Sequence, residues 1–374
     1  MGSPSAHLRA GPESLGRDCC LARIVVSGYY GFGNAGDEII LSVLLDALEG
    51  HEVVVLSADP LATAREHAVE AVSRSNPVAI GMALARSGLL VSGGGGLIQD
   101  ATGRRSVLYY LGIVRLARFL GVPFVIYAQG LGPLHAPASR RAVSLLRGAR
   151  MITVRDLESR ELLEECGVQG AEVTADAAFA LRAPRREQWH PALEAAGVER
   201  GRPVVALALR RWDHPDFTAY QSRLATHLRD VLGARVVLVP MQLPDDAEVC
   251  TRVRSVAPDV TEVLSVPSSV ASFTSLFGCF NLVVGMRLHA LILAAIAGVP
   301  FLGLGYDPKI DAFMKTVGCA DSCFPLMSPI EPVTLHAQRL LAEGLTVAVT
   351  ERVSALQQAA ARNNERLRAV LSTL

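Results

Sequence analysis

Residues Arg23–Glu38, RIVVSGYYGFGNAGDE, join an apolar β-branched run to a glycine loop, and the apolar-periodic segment IILSVLLDAL follows. A buried strand, a tight turn and an amphipathic helix in this order begin a βαβ unit. The alternation continues with EVVVLS, LLVSG, PFVIYAQG and MITVRD, and later with PVVALAL, ARVVLVP, FNLVVG and PFLGLG. Such units build parallel sheets with helices on both faces. We therefore predict an α/β protein with two Rossmann-like domains facing each other across a cleft.

The chain divides at LRAPRREQWHPALEAAGVERGRP, a segment rich in proline and charge. We predict four parts: a disordered N-terminal extension over residues 1–22, an N-terminal domain over 23–181, a linker over 182–202 and a C-terminal domain over 203–374. The carboxyl ends of the two parallel sheets would then border the cleft, where ligands usually bind. The last helix, predicted from about Val347 to Leu371, is long enough to pack back across the hinge.

The composition is that of a globular protein, with 374 residues of which 50% are hydrophobic and 19% charged. Its 36 basic and 36 acidic residues cancel, which argues against a nucleic-acid partner. The long apolar stretches are interrupted by charged residues, and the first 22 residues lack the apolar core of a secretory signal. The seven cysteines contain no C-x-x-C. We expect a cytoplasmic protein with reduced thiols and without a bound metal.

The first glycine loop carries Gly31, Gly33 and Gly36 in the spacing G-x-G-x-x-G of a dinucleotide-binding turn. However, Asp37 and Glu38 follow at once and occupy the helix N-terminus that would otherwise favour an anion. A pyrophosphate there would meet two carboxylates, each at a cost on the order of several kcal/mol. The pattern therefore argues against a dinucleotide in spite of its glycines.

Neutral and acidic side chains in this loop are suited to sugar hydroxyls. We assign Asn34, Asp37 and Glu38 to an acceptor-sugar site. Two alternatives remain open at this point. Asp37 can serve only as the cap of its helix, and Asp59, beyond the second strand, is placed as the ribose ligand of a dinucleotide fold would be.

Two further strand ends carry glycines and polar groups. One is SGGGGLIQDATGRRS, and the other is YAQGLGP. Glycines without a Cβ let a ligand approach the backbone closely; a tight turn with contact between helix and sheet is the alternative. We predict that these ends complete the acceptor site through Gly95, Gly96, Gln99, Asp100, Arg105 and Gln129.

Cations gather in the second half. Arg287 and His289 follow a buried strand, Lys309 follows the next strand, and Arg210 and Arg211 end the first strand of that half. A buried cation must be paired or must meet a ligand. Arginine suits carboxylate or phosphate, and histidine exchanges protons near neutral pH. A histidine bonded to the core backbone is the alternative for His289 alone, whereas the set together predicts an anion site.

The sequence resembles the polysaccharide pyruvyl transferase family, and within it the CsaB-type branch. The resemblance rests on GYYGFGNAGDE, GGGGLIQDATGRRSVLYYL, ITVRD, TADAAF and GMRLHALILAAIAGVPFLGLGYDPK, in that order from Gly28 to Lys309. It implies a glycosyltransferase-B-like fold and transfer of the enolpyruvyl unit of phosphoenolpyruvate to a sugar, with formation of a 4,6-pyruvate ketal. In this branch the acceptor is a lipid-linked cell-wall precursor ending in N-acetylmannosamine, and the product anchors S-layer proteins.

Carried over by position, the family's Arg-x-His corresponds to Arg287 and His289, with His289 the acid/base. The resemblance also implies that Lys309 and Arg155 bind phosphoenolpyruvate, together with Arg210 or Arg211. It calls for no cofactor. A lipid-linked acceptor implies work at the inner face of the membrane, where the helix with Arg115 and Arg118 either contacts lipid or is simply solvated.

Two alternative functions remain open. A nucleotide-sugar glycosyltransferase shares the expected fold, although no carboxylate suited to a ribose stands late in the second half. A non-catalytic protein that binds anions or polysaccharides would use the same cations without turnover. The oligomeric state is also open, with a homo-oligomer among the expectations.

Overall fold

The computed structural model describes residues 22–101, 103, 105–182, 190–264 and 269–374. Nearly all of the predicted N-terminal extension, and residues 183–189 of the predicted linker, lie outside the described residues. Within them the chain forms two parallel sheets flanked by helices, which confirms the predicted α/β class. None of the described helices combines the length and apolar character that a membrane crossing requires.

The first sheet is built from the first eight strands. They are β1 (Arg23–Tyr30), β2 (Glu52–Ser57), β3 (Glu70–Ser73), β4 (Leu89–Ser92), β5 (Gly95–Ile98), β6 (Phe124–Leu131), β7 (Ile152–Val154) and β8 (Glu172–Val173). Their order is β3-β2-β1-β4-β6-β7-β8, and β5 pairs with β6. The helices between them are α1 (Ala35–Ala47), α2 (Pro60–His67), α3 (Pro77–Ala85), α4 (Arg105–Phe119), α5 (Pro137–Val143) and α6 (Leu157–Glu165).

The second sheet has the order β11-β10-β9-β12-β13-β14. Its strands are β9 (Val204–Ala208), β10 (Arg235–Leu238), β11 (Thr261–Val263), β12 (Leu282–Gly285), β13 (Phe301–Gly305) and β14 (Cys323–Pro325). The helices of this half are α7 (Pro191–Ala195), α8 (Phe217–Leu232), α9 (Asp245–Val256), α10 (Val270–Phe277), α11 (Leu288–Ile296), α12 (Pro308–Thr316), α13 (Ile330–Glu343) and α14 (Val347–Leu371). Short 3-10 turns lie at Ser144–Leu146, Ala177–Ala180 and Ala320–Ser322.

The two faces of the first sheet pack against different helices. Side chains of α3, α4, α5 and α6 form one core with Val25 of β1 and Val54 of β2. Alternate residues of the same strands, such as Ile24 and Val55, point to the other face and share a core with α1, α11 and α14. This alternation is the period-2 pattern of a strand buried on both faces, and it leaves α3–α6 as an outer layer.

The last helix returns from the second half to the first, as its predicted length allowed. On α14, Asn363 accepts a hydrogen bond from Thr174 Oγ1 at 2.7 Å and donates one to the Ala175 carbonyl at 3.2 Å. Asn364 accepts a hydrogen bond from the hydroxyl of Tyr127, on β6, at 2.5 Å. Because Asn363 is fully buried, α14 is an integral connection between the two halves.

Candidate active site

The first glycine loop faces protein groups of the second half. A Cβ added at Gly33 would lie 2.9 Å from the Leu243 carbonyl oxygen, and one added at Gly36 would lie 2.7 Å from Cε1 of His289. Backbone hydrogen bonds join the same segments, from the Ala35 amide to the Met241 carbonyl at 2.8 Å and from the Leu243 amide to the Gly33 carbonyl at 2.9 Å. Because Gly33 and Gly36 have no Cβ, the second half packs closely against this loop, at the position where a dinucleotide fold would bind pyrophosphate.

Each polar residue of this loop has a different surrounding. Asn34 caps α1, accepting a hydrogen bond from the Gly36 amide at 3.0 Å, and it lines the cleft. Asp37 also lines the cleft and is 8% exposed. Glu38 turns the other way: it accepts from the Gly31 amide at 2.8 Å and contacts His67 Nε2 at 3.0 Å. Asn34 and Asp37 therefore face the cleft, whereas Glu38 orders the loop from behind.

Burial raises the pKa of Asp37 to about 7; the charges of Glu38 and Asp176 add to the rise, and those of His289 and Arg155 oppose it. A carboxyl group that titrates near neutral pH can exchange a proton under working conditions. Asp37 therefore has the protonation behaviour of an acid/base group as well as the position of a sugar ligand.

Behind the loop lies a group of side chains with the atom types that bind metal ions. It consists of Glu38, Glu66 and His67, whose ligand atoms lie within 4.8 Å of one another. Glu38 and His67 are 29 residues apart in sequence, so no motif spacing indicated this group. Both of them already have the protein partners described above, and the expectation of a protein without bound metal stays a prediction.

The glycine strand β5 forms one wall of the cleft. Gln129 is fully buried and donates hydrogen bonds to the carbonyls of Gly95, at 2.5 Å, and Gly130, at 3.1 Å. Gly95 has a φ of +94°, and a Cβ there would lie 3.1 Å from Oδ1 of Asp37. Gly96 and Gln99 line the cleft directly. Gln129 and Gly95 therefore shape the wall that Gly96 and Gln99 present.

Two residues assigned to the acceptor site lie away from the cleft. The Asp100 carboxylate accepts hydrogen bonds from the amides of His135, at 2.8 Å, and Ala136, at 2.9 Å. These amides hold the pKa of Asp100 below its ordinary value. Arg105 is the exposed first residue of α4. Asp100 thus organises the turn before α5, and Arg105 stands at the surface beside Ser106, which lines the cleft.

A charged chain connects the two halves. Arg155 donates to Oδ2 of Asp176 at 3.1 Å and to Asp156 at 3.3 Å, and Oδ1 of Asp176 lies 3.8 Å from His289 Nε2. The last separation is longer than a hydrogen bond, so the two groups form an ion pair only when the imidazole is protonated. Burial by itself would raise the pKa of Asp176, but the charges of His289 and Arg155 and the Ala178 amide hold it well below its usual range.

Arg287 is held by the second half alone. Its guanidinium makes a bidentate contact with Asp246 and donates to Gln242 Oε1 at 3.1 Å. Asp246 is fully buried and also accepts from the backbone amides of Met241, at 3.1 Å, and Gln242, at 3.0 Å. This network fixes the orientation of Arg287 and leaves two of its five N–H groups for a ligand.

Tyr306 organises the remaining cations. Arg210 donates to the Tyr306 hydroxyl at 2.5 Å and stacks 4.6 Å from its ring centroid. Lys309 contacts Asp307 at 3.1 Å and lines the cleft. Arg211 is exposed. Of the two candidate arginines, Arg210 thus contacts a residue of the cleft lining, Tyr306, while neither arginine is itself part of that lining.

The cleft contains a cavity of about 390 Å³ that receives residues from both halves. Its lining consists of Tyr29, Asn34, Asp37, Gly96, Leu97, Gln99, Ser106, Tyr110, Arg155, Met241, Arg287, Leu288, His289, Tyr306 and Lys309. An adjoining cavity of about 770 Å³ shares Arg155, Leu288, Tyr306 and Lys309 and is otherwise rich in carboxylates and apolar side chains. Four residues assigned to the donor side or to catalysis and four assigned to the acceptor therefore line one cavity: Arg155, Arg287, His289 and Lys309, with Asn34, Asp37, Gly96 and Gln99.

Several residues in or beside this cavity had no assigned role in the sequence. Asp176 lies in the motif TADAAF and Tyr306 in GLGYDPK, so both belong to quoted signatures without standing out chemically. Tyr29 and Tyr110 also lie in quoted signatures, GYYGFGNAGDE and GGGGLIQDATGRRSVLYYL, and had no assigned role. No sequence pattern pointed to Asp246 as a site residue, because its contact with Arg287 joins positions 41 residues apart and depends on the fold.

Solved structures similar to this chain share its two-domain α/β architecture. The Anabaena protein HepE, in complex with UDP and glucose, has 14% identity and a TM-score of 0.59, with 94% of this chain and 100% of that chain covered. A UDP-GlcNAc 2-epimerase from Neisseria meningitidis, bound to UDP-GlcNAc, has 12% identity and a TM-score of 0.61, with 93% and 100% covered. A glycosyltransferase from Rickettsia africae has 12% identity and a TM-score of 0.59, with 94% and 97% covered.

Likeness at this level of identity shows the fold alone, which is of the glycosyltransferase-B type with two Rossmann-like domains. No curated protein sequence matches the chain. The family model described as polysaccharide pyruvyl transferase matches residues 34–308. That span runs from the cap of α1 to the first residue of α12 and holds both Asp37 and the pair Arg287 and His289. The chain therefore belongs to the polysaccharide pyruvyl transferase family.

Proposed function

We propose that this enzyme transfers the enolpyruvyl unit of phosphoenolpyruvate to two hydroxyls of a sugar, with release of phosphate. The observation that carries the proposal is the cleft cavity in which His289 lies with Asp37, Arg287 and Lys309. Asp176, which lines the adjoining cavity, stands 3.8 Å from His289 Nε2. Phosphoenolpyruvate has a carboxylate and a phosphate, and these cations match both. No redox step and no cofactor are needed.

The proposed reaction conserves atoms and protons without a further reactant. One sugar hydroxyl oxygen bonds to C2 of phosphoenolpyruvate while a proton is added to C3, which becomes the methyl group. The C2–O bond to phosphate then breaks, and the second hydroxyl oxygen bonds to C2 to close the ketal. Of the two hydroxyl protons, one is balanced by the proton on C3 and the other by the departing phosphate. Two proton-exchanging groups at one centre suit this sequence.

His289 is the proposed proton donor to C3, with Asp176 stabilising its protonated form across 3.8 Å. Asp37 is the proposed base for the attacking hydroxyl, because its pKa of about 7 lets it accept a proton near neutral pH. Arg287, Lys309 and Arg155 are proposed to bind the donor's negative groups and to stabilise the leaving phosphate. Arg210 supports them through Tyr306.

The acceptor is proposed from the CsaB-type resemblance: a lipid-linked precursor ending in N-acetylmannosamine, modified to a 4,6-ketal that serves S-layer anchoring. Asn34, Gly96 and Gln99 present neutral polar groups to the cavity beside Asp37. Such groups bind sugar hydroxyls without competing for an anion. A cytoplasmic site of action follows from a lipid-linked precursor built at the inner membrane face.

The test incubates the purified protein with phosphoenolpyruvate and a lipid-linked acceptor ending in N-acetylmannosamine, and measures phosphate release and the mass of the acceptor. We expect stoichiometric phosphate and one added pyruvyl ketal. His289→Ala should abolish turnover while phosphoenolpyruvate still raises the unfolding temperature. His227→Ala, in α8 and outside the cavity, is the matched control and should remain active. A wild-type protein that releases no phosphate with this acceptor, or stabilisation by UDP instead of phosphoenolpyruvate, would contradict the proposal.

A further inference from the structure

The balanced charge of the whole chain conceals a strongly basic segment. Between Ala71 and Arg155 there are eleven arginines, no lysine and one carboxylate, Asp100. That carboxylate is occupied by the amides of His135 and Ala136. The segment supplies α3, α4 and α5, which lie side by side in the outer layer of the first sheet. The helices α3, α4 and α5 thus carry no carboxylate of their own. The acidic residues of the layer lie on α6, where Glu165 pairs with Arg140 of α5 at 3.1 Å.

The arginines of this face are available to a partner. Arg86 at the end of α3, Arg115 on α4 and Arg141 on α5 are exposed, and the ion pairs found within the described residues involve none of them. Arg118 differs, since it donates to the carbonyls of Leu145 and Arg147 at 2.8 Å each. In the part of the chain that the structure describes, the positive charges of Arg86, Arg115 and Arg141 are therefore not neutralised by an ion pair with a carboxylate.

The same face exposes large apolar side chains. Phe119 at the end of α4 is 84% exposed, and Leu108, on the same helix, is 67% exposed. On α3, Val78 and Met82 are 69% and 52% exposed. Leu108 and Phe119 share the outer stripe of α4 with Arg115, because positions three or four apart lie on one side of a helix. Apolar and cationic side chains alternate on this stripe without an acidic residue.

We propose that the outer face of α3, α4 and α5 docks on a bilayer that contains anionic lipid. Arginines adjacent to such a surface are attracted to the lipid phosphates, while phenylalanine and leucine enter the boundary between headgroups and acyl chains. A nucleic acid would use the arginines but would leave Phe119 and Leu108 in water. The surface therefore fits a bilayer better than a polyanion. The inference stands on this surface alone and does not depend on the proposed chemistry.

Docking on this face has a geometric consequence for the cavity. α4 begins beside the cleft, and Ser106 and Tyr110 from its first turns line the cavity. The far end of the same helix carries Phe119. A bilayer held along α4 would thus run past the cavity wall, where a substrate attached to the lipid could reach the site without leaving the membrane.

The test is co-sedimentation of the full chain with vesicles, in the absence of any substrate. Wild-type protein should bind phosphatidylcholine vesicles that contain phosphatidylglycerol, should bind pure phosphatidylcholine weakly, and should dissociate as salt is raised. The triple variant Arg86→Glu, Arg115→Glu, Arg141→Glu should lose roughly 100-fold in partitioning. The matched control Arg65→Glu, Arg223→Glu, Arg252→Glu reverses three exposed arginines elsewhere and should bind normally.

The apolar part is tested separately. Leu108→Ser with Phe119→Ser should weaken binding roughly tenfold or more, whereas Val256→Ser with Leu335→Ser, at residues 60% and 61% exposed in the other half, should not. Thermal unfolding checks that each variant folds. Equal binding by basic-face and control variants would overturn the proposal. So would a wild-type protein that ignores anionic vesicles, or one that binds an RNA oligonucleotide in their place.

Discussion

The contact between Gly36 and His289 allows a sharp test of the site. Gly36 lies in the first turn of α1, outside the left-handed region, so alanine adds no backbone strain there and favours the helix by about 1 kcal/mol. The added Cβ would lie 2.7 Å from Cε1 of His289 and closer still to Nδ1. Carbon atoms pack at about 3.5–4.0 Å. Either the ring or the helix must therefore move by about 1 Å.

Such a movement displaces His289 from Asp176 and from the ligand. A misplacement of about 1 Å costs roughly 100-fold in rate, or about 2.7 kcal/mol. We expect Gly36→Ala to lower kcat/KM by this factor, measured as phosphate release dependent on phosphoenolpyruvate. The control is Gly112→Ala on α4, where an added Cβ meets no atom within 4 Å. That variant should keep its activity within about twofold and unfold at a slightly higher temperature.

The double variant Gly36→Ala with His289→Ala separates packing from catalysis. Removing the imidazole should restore the unfolding temperature that Gly36→Ala loses, without restoring turnover. Wild-type activity in Gly36→Ala would refute the contact between α1 and His289 as the basis of the site. Additive effects of the two substitutions on unfolding would do the same, because residues in contact are expected to couple.

Three further predictions concern stability. Burial raises the pKa of Asp37 to about 7, so stability falls as pH rises from about 4 through 7. In thermal melts Asp37→Asn should be roughly 4 kcal/mol more stable than wild type at pH 8 and similar to it at about pH 4. Asp176 has the opposite sign, since its pKa is held below the ordinary range: its contribution is present above about pH 4 and lost on acidification. In urea unfolding at pH 7, Asp176→Asn should cost about 3–5 kcal/mol, because Arg155 loses the buried one of its two carboxylate partners. Asn363→Ala should cost about 1–3 kcal/mol in the same assay by removing the hydrogen bonds to Thr174 and the Ala175 carbonyl. An unchanged midpoint would contradict the corresponding contact for Asp176→Asn or Asn363→Ala, and the raised pKa for Asp37→Asn at pH 8.

The glycine loop shows what a sequence can and cannot reveal. Its spacing is that of a nucleotide site, and only the two carboxylates beside it indicated otherwise. The actual neighbours of Gly33 and Gly36 are Leu243 and His289, more than 200 residues away in the chain. Local patterns identified nine of the fourteen strands in the described residues, the helix Val347–Leu371 and eight of the fifteen cavity residues. They missed β5, whose glycines are typical of the turn after a strand. They could not show which partner each residue meets, since that depends on how the two sheets face each other.

The partners of the cations in the second half also depend on the fold and could not be read from the sequence. Arg287 stood out because a charge follows a buried strand, but its carboxylate partner, Asp246, lies on an ordinary acidic helix start. Arg210 and Arg211 are adjacent and identical in type, and only the ring of Tyr306 distinguishes them. Likewise, the equal totals of basic and acidic residues did not reveal that the arginines on or next to α3, α4 and α5 lie on one face of the first domain.

The path of α14 bears on how this enzyme can be engineered. A chimera that exchanges the second half for that of a relative would bring a foreign α14 against Tyr127 and Thr174 of the first half. Any change in the preference for donor or acceptor would then be combined with a change in how well α14 packs against the first half. A crossover drawn at Leu345, with residues 347–371 kept beside the first half, preserves Asn363 and its partners. Modular exchange in this fold therefore requires three segments instead of two.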